Sequence, residues 1–199
     1  MAQQATKEKI LLATIDAIEK NGIHNITTRV IADEAGVNNA ALHYYYGTKE
    51  QLVEAALLQT TEHWIEDTSE ILSSDKPVRE RIREMLVYLI DGVLRYPNLI
   101  RAHIQGPFME GNPNSSFLRM LSNWLEQTAN DLGAEITPEQ EQVVHVAMQT
   151  AISSILIVGL VPASPDLKVG IHLKDDNTRE VYTTYLVDSI LNAIGEESE

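Results

Sequence analysis

The chain has no cysteine, which excludes disulfides, thiolate nucleophiles and Cys-ligated metal centres and suits a reducing compartment. The N-terminal stretch MAQQATKEKILLATIDAIEKNG lacks an uninterrupted apolar segment and a small-residue cleavage site, so no secretory leader is read there and a cytoplasmic location is expected. The most apolar run, Ala151 to Val161, contains Ser153 and Ser154. It falls short of the roughly 20 residues that span a bilayer and reads as a buried helix. Catalytic signatures are missing too: there is no Gly-rich phosphate loop, no His-Glu-x-x-His and no Gly-x-Ser-x-Gly. A carboxylate-bridged metal centre on helices needs repeated Glu-x-x-His, which does not occur. His63 with Glu66 and Glu141 with His145 lie one helical turn apart, a spacing that surface pairs share with ligand pairs. The chain is therefore expected to be neither an enzyme nor a holder of a metal or cofactor.

Positive charge is scarce. Fifteen Lys and Arg face 29 Asp and Glu, for a formal net charge of −14. The deficit is uneven: residues 1–54 hold five basic against seven acidic side chains, leaving ten against 22 in residues 55–199. Acidity of this kind keeps a protein soluble, and it predicts only modest nonspecific attraction of the whole chain to a polyanion.

What is present is helical periodicity, with no strand pattern and no internal repeat. At 199 residues the chain can bury a sizeable core. Ile10, Leu11, Thr14, Ala17 and Ile18 make one apolar stripe on a helix from about Gln4 to Asn21, which Gly22 stops. A long helix is predicted from Lys49 to Leu72, then one after Pro77 to near Tyr96, and a short one opened by Pro97. Phe108 and Met109 lie between Gly106-Pro107 and Glu110-Gly111, and their apolar character predicts that they fold back over a core or cavity. Ser115 or Ser116 opens the next helix, which Gly133 ends. Thr137-Pro138-Glu139-Gln140 reads as a capping box with Pro in the first turn, starting a helix to about Val161. Residues 162–176 read as a loop, with Lys168 to Leu173 extended. Asn177 caps the last helix, and residues 196–199 form a polar tail. The fold class is all-α with about nine helices, in a head over residues 1–54 and a larger helical body over 55–199.

Between the first and fourth helices lies TTRVIADEAGVNNAALHYYYGTKEQL, residues 27–52. Thr27 or Thr28 caps a short helix whose inward residues are Val30, Ile31 and Ala35, and Gly36 lets the backbone leave it. Asn38 caps a second short helix anchored by Leu42, with Ala40 and Ala41 keeping it slim. Thr48 and Gln51 form a capping box for the long helix. Helix, glycine turn and slim helix together make a helix-turn-helix, whose second helix fits a major groove about 12 Å wide.

These residues carry a family resemblance. Thr27-Thr28, Ile31-Ala32, Ala35-Gly36-Val37, Leu42, Tyr44 to Tyr46, and Lys49-Glu50 with Leu52 resemble the N-terminal domain of the tetracycline-repressor (TetR) family of transcriptional regulators, with the spacing kept from Ile10 to Leu52. The chain departs from the usual pattern at His43, where the family tends to have Tyr, and at Tyr46, where it tends to have Phe. The resemblance implies a homodimeric, ligand-responsive regulator of transcription, a repressor that leaves a near-palindromic double-stranded operator when a small hydrophobic or aromatic effector binds. Half-sites would then lie about 34 Å or somewhat more apart.

Side-chain chemistry distributes the roles. Asn38, Asn39, Ala40 and His43 are placed to meet base edges, since Asn pairs with adenine and Ala touches a thymine methyl. Thr27, Thr28, Tyr44 and Lys49 suit phosphates, and Arg29 suits either partner. Thr27, Thr28, Asn38 and Thr48 equally serve as plain helix caps. Trp64, Tyr88, His103, Phe108, Phe117, Met120, Trp124, His145 and Met148 supply aromatic and flexible apolar material for an effector pocket, and the same residues suit an ordinary core. The helix from Pro138 is apolar on more than one face, so one side is expected to meet a second copy of the chain. That pairing surface is read at Ile152, Ile155 and Leu156, with Val181, Tyr185, Leu186 and Ile190 of the last helix. A helical protein-binding adaptor that keeps the helix-turn-helix only as structure is the alternative, with a metal-dependent helical enzyme further off.

Overall fold

A helix needs its first amides and last carbonyls satisfied, and this chain supplies the groups locally. Thr27 sits in extended backbone and accepts from the Val30 N–H, Asn38 accepts from Ala41, and Thr48 and Gln51 satisfy each other's amides at 3.2 and 3.0 Å. In the computed structural model, which describes residues 2–132, 137–161 and 171–195, these caps delimit α-helices. They are α1 (Ala2–Asn21), α2 (Thr28–Ala35), α3 (Asn39–Tyr46), α4 (Lys49–Leu72), α5 (Val78–Arg95), α6 (Pro97–Ile104), α7 (Ser116–Leu132), α8 (Pro138–Leu160) and α9 (Asp176–Ile194). A single π-helical turn, Gln105–Met109, follows α6. No strand occurs among the described residues, so the fold is all-α as expected. The expected ends at Gly133, in residues 162–170 and in the tail 196–199 lie outside the described residues. Of the expected extended stretch, Ile171 to Leu173 is described, and it leads into a turn closed by the Asp175 N–H on His172.

Two compact units form. The first comprises Met1–His63 with Asn98–Leu118, and the second Trp64–Pro97 with Arg119–Glu199. In the first, Ile10, Ala17, Ile18, Ile26, Ile31, Ala35, Leu42, Leu52 and Ala56 share a core with Leu99 and Ala102 of α6. Asn98 also donates to the Glu19 carbonyl at 2.8 Å, and the Leu99 N–H to the Glu19 carboxylate at 2.9 Å. A three-helix head of about fifty residues buries too little apolar surface to be secure alone. Here α6 and the start of α4 complete it, although the sequence reading drew the boundary at residue 54.

His103 of α6 is buried in this unit, 6% exposed, with its ring against Phe117 at 5.2 Å and Nε2 2.9 Å from the Thr60 hydroxyl. Burial lowers its pKa from 6.5 to about 4, because desolvation penalises the imidazolium. Phe108 and Met109, in contrast, are 60% and 80% exposed. They occupy the end of the π turn, where the Glu110 N–H closes back on the Gln105 carbonyl, and this wide turn carries both side chains outward rather than over a core.

In the second unit α5, α8 and α9 pack on one another around Ile82, Met85, Leu86, Ile90, Met148, Ile155, Leu186 and Ile190. Trp124 of α7 is buried beside Trp64, edge to face at 5.0 Å, and donates to the Thr68 hydroxyl at 2.9 Å. Gly159 marks the close approach of α8 to α5: a Cβ there would collide with Val93 Cγ1 and lie 3.1 Å from its Cβ. Helix α9 starts one residue before the expected cap, since Asp175, not Asn177, accepts from the Thr178 N–H at 2.7 Å. By length and composition α8 holds a 21-residue apolar span from Gln140 to Leu160, but only 28% of that window is buried. The buried helix expected there therefore keeps one open face.

Two outcomes follow. Gly159→Ala should destabilise by about 1–3 kcal/mol through overpacking against the stiff Val93. Gly92→Ala, which meets nothing within 4 Å, should instead gain up to about 1 kcal/mol of helix propensity; chemical denaturation distinguishes them. Because unfolded His103 takes a proton near pH 6.5 and the folded ring resists protonation down to about 4, its contribution is complete above 6.5 and is lost as pH falls toward 4. His103→Gln should remove a loss on the order of 3 kcal/mol from the pH dependence over that window; an unchanged profile would contradict the buried neutral ring.

Candidate nucleic-acid interface

The glycine turn fixes how α3 is presented. Gly36 adopts φ 59° and ψ 39°, a left-handed conformation that lets its N–H reach back to the Ala32 and Asp33 carbonyls. Two residues later Asn38 begins α3. Of the eight residues of α3, Leu42 alone is buried, 3% exposed in the core of the first unit. Tyr45 and Tyr46 pack partly against that core, and the Tyr46 hydroxyl donates to the Lys7 carbonyl at 2.9 Å while the Lys7 ammonium lies 5.5 Å from the ring centroid. Ala41 is half-buried against the same core, and the other positions face outward. Asn38, Asn39, Ala40, His43 and Tyr44 are all exposed, Tyr44 at 73%.

His43 is held in a defined tautomer. Its Nδ1 lies 2.7 Å from the Gly47 carbonyl, which can only accept, so Nδ1 carries the proton. The neutral ring then offers Nε2 as an acceptor, suited to the amino group of adenine or cytosine in a major groove. The free edge donates only when the ring is an imidazolium.

The flanks carry the groups suited to phosphates. Thr27 is exposed with its hydroxyl capping α2, Thr28 is half-buried at the first position of that helix, and Arg29 is exposed, with Asp33 3.9 Å away. An exposed pair at that distance constrains the guanidinium little. Lys49 differs, since its ammonium donates to the Ile26 carbonyl at 3.3 Å and ties the start of α4 to the turn before α2. No sequence motif announces that bond; nor does the sequence show that Tyr46 straps α3 to α1. Lys20 is likewise engaged, by Glu34.

The expected effector residues do not gather in one place. Trp64 and Trp124 stack on each other and Met148 is buried core. Tyr88 donates to Asp67 at 2.6 Å, and burial together with that carboxylate pushes its phenol well above the usual range. His145 and Phe108 are exposed and Met120 is half-buried. His103 and Phe117 do meet, in a cleft of about 470 Å³ whose walls belong wholly to the first unit. The expected pairing surface needs amendment as well. Ile152, Ile155, Leu186 and Ile190 are buried within the chain by the packing of α5, α8 and α9, and Leu156 is half-buried, whereas Val181 and Tyr185 are exposed. Among the described residues no group of three or more His, Asp and Glu is arranged to hold a metal.

Comparison with known proteins places this geometry. Residues 10–56 match the model of bacterial regulatory proteins of the tetR family. The nucleoid occlusion factor SlmA of Vibrio vulnificus is 32% identical over 96 residues, 48% of this chain and 49% of that protein, so the chain spans about half the length of this relative. The HTH-type transcriptional regulator BetI of Pectobacterium carotovorum is 25% identical over 141 residues, 71% of this chain and 63% of BetI. A TetR transcription regulator from Haloarcula marismortui superposes with a TM-score of 0.62 over 94% of this chain and 97% of its own, at 20% identity, a likeness of fold. The matched stretch, residues 10–56, lies on the helix-turn-helix just described, so this part of the chain is similar to the tetR family of bacterial regulatory proteins.

Proposed function

We propose that the protein is a ligand-responsive, homodimeric regulator of transcription in the cytoplasm, a repressor that leaves a near-palindromic operator when a small effector binds. The observation that carries this reading is the outward face of α3, where Asn38, Asn39, Ala40 and His43 stand exposed around a helix anchored by one residue. Asn39 at the first helical position can pair bidentately with adenine, Ala40 can meet a thymine methyl, and His43 Nε2 can accept from a base amino group. Thr27, Thr28, Arg29 and Tyr44 flank that face and supply contacts that position without reading sequence. Lys49 acts first by holding the Ile26 carbonyl and so the start of α2, and phosphate contact is secondary for it.

Pairing of two copies is supported by the apolar side chains that α8 and α9 leave in solvent. Val143, Val146, Ile157, Val161, Val181 and Tyr185 are exposed large apolar residues of this kind. On α8 the spacing of 143, 146, 150, 153 and 157 follows one helical face, with Thr150 and Ser153 as its small polar members. This outer face, rather than Leu186 and Ile190, is the surface offered to a second copy. Residues outside the head, about 55–199, then serve pairing and regulation.

Few free cations stand on the reading face, so binding should show a shallow salt dependence, with log K falling by about 0.9 per phosphate neutralised for each tenfold rise in salt. Selection from random duplex DNA should yield a dyad-related sequence. Asn39→Ala should relax preference at one position of each half-site by about 1–3 kcal/mol; unaltered preference would remove Asn39 from the base-reading set. For pairing, Ile157→Asp should give a monomer of unchanged helical content by sedimentation and circular dichroism, while Ile190→Asp should unfold the second unit. A dimer that persists in Ile157→Asp would move the pairing surface elsewhere.

A further inference from the structure

The cleft that His103 and Phe117 share is not explained by DNA reading or by pairing. One wall is the first half of α4, the others come from α6, the segment after it, and Ile23 and His24 of the turn between α1 and α2. At about 470 Å³ it lies within the size range of small-molecule sites. Its chemistry is lopsided. Val53, Leu57, Ala102 and Phe117 give an apolar surface, while Glu50 and Glu54, one turn apart on α4, bring two carboxylates with no cationic partner among the described residues. The one lysine in the wall, Lys49, spends its ammonium on the Ile26 carbonyl.

His103 adds a third acceptor. The Thr60 hydroxyl donates to the Leu57 carbonyl at 2.9 Å, so it accepts from His103 Nε2–H, and the neutral ring keeps Nδ1 as an acceptor without a partner among the described residues. An imidazole acceptor and two carboxylates beside an apolar wall suit a ligand with an N–H donor, a positive charge and a hydrocarbon body.

We infer that this cleft binds a lipophilic amine, and that the amine acts on the reading head directly. The inference rests on the ligand-responsive reading above and assigns its effector to the first unit. The mechanical reason is local. The wall residues Ile23 and His24 lead into Ile26, whose carbonyl is held by Lys49, and Thr27 then caps α2. An occupant that draws Glu50 and Glu54 inward shifts the start of α4, and with it the Lys49–Ile26 bond that sets where α2 and α3 stand. Occupancy alters DNA affinity only by the difference in its affinity for the two head arrangements.

The test uses the full-length protein with decylammonium, decanoate and decanol as probes, read by calorimetry and thermal shift, and by fluorescence anisotropy on the selected operator. Decylammonium should bind saturably, with decanoate at least tenfold weaker. The Glu50→Gln, Glu54→Gln double variant should lose at least tenfold in decylammonium affinity. Glu62→Gln, which removes an exposed carboxylate further along the same helix and outside the cleft wall, should bind as the parent does. Equal binding of decanoate, an unaffected double variant, or equal weakening by Glu62→Gln would overturn the site. Decylammonium that binds in the cleft but leaves operator affinity unchanged would overturn its action on the head. Failure of the protein to bind any selected duplex without amine would instead sink the regulator reading, and cleft binding would still be measurable, so the two failures are separable.

Discussion

An eight-residue helix cannot hold itself up in water, and α3 is such a helix. Isolated helices shorter than about 12–15 residues are marginal even with favourable sequences. What keeps α3 formed is the insertion of Leu42 into the core of the first unit, helped by the Asn38 cap at one end and the Tyr46 to Lys7 strap at the other. Burying a leucine side chain is worth about 1.5–3 kcal/mol, and a good cap about 1. Anchoring on one side has a functional corollary, since it leaves the face of Asn39, Ala40, His43 and Tyr44 free. Small residues at Ala40 and Ala41 keep the helix narrow enough for a groove. Tethering elsewhere in the head, by Lys49 on Ile26 and by α6 against α1, serves to keep this one helix in place.

Electrostatics contribute to that arrangement in an unusual proportion. With a net charge of −14 and with Lys20 and Lys49 already committed to partners in the head, attraction to phosphates is weak. On the proposed reading, DNA recognition draws more on fit and base contacts than on counterion release. In the second unit the ion pairs Arg79–Asp188, Arg83–Glu180 and Arg179–Asp91 join α5 to α9, yet all are partly exposed and each is worth no more than about 1 kcal/mol. The apolar packing of α5, α8 and α9, close enough at Gly159 to exclude a Cβ, carries that unit's stability instead.

Local chemistry was legible from the sequence wherever it acts within three or four residues. Thr27, Asn38 and the Thr48 with Gln51 pair could be read as caps because a side-chain oxygen reaches an amide only at that spacing, and Gly36 could be read as an exit because its conformation suits glycine. Long-range facts were not. A stripe of apolar residues shows that a helix has an inner side, not which element covers it. Ile190 was thus read as facing a second copy when the packing of α5 and α8 already covers it, and α6 was assigned to the body when Leu99 and Ala102 complete the head. Aromatic content misled in the same way: Trp64 and Trp124 satisfy each other and Thr68, whereas Phe108 and Met109 turn outward on a π turn that no local pattern announces. The cleft was half visible, through His103 and Phe117. Glu50 and Glu54 looked like ordinary solvated charges on α4, because only the fold sets them opposite an apolar wall.

Hydrogen exchange of the full-length protein, with and without its selected duplex, tests the placement of α3 most directly. Slowed exchange should concentrate in residues 27–49, strongest over the turn and α3, with α5 unchanged. Protection that avoids α3, or that appears on another surface, would contradict the role given to this helix.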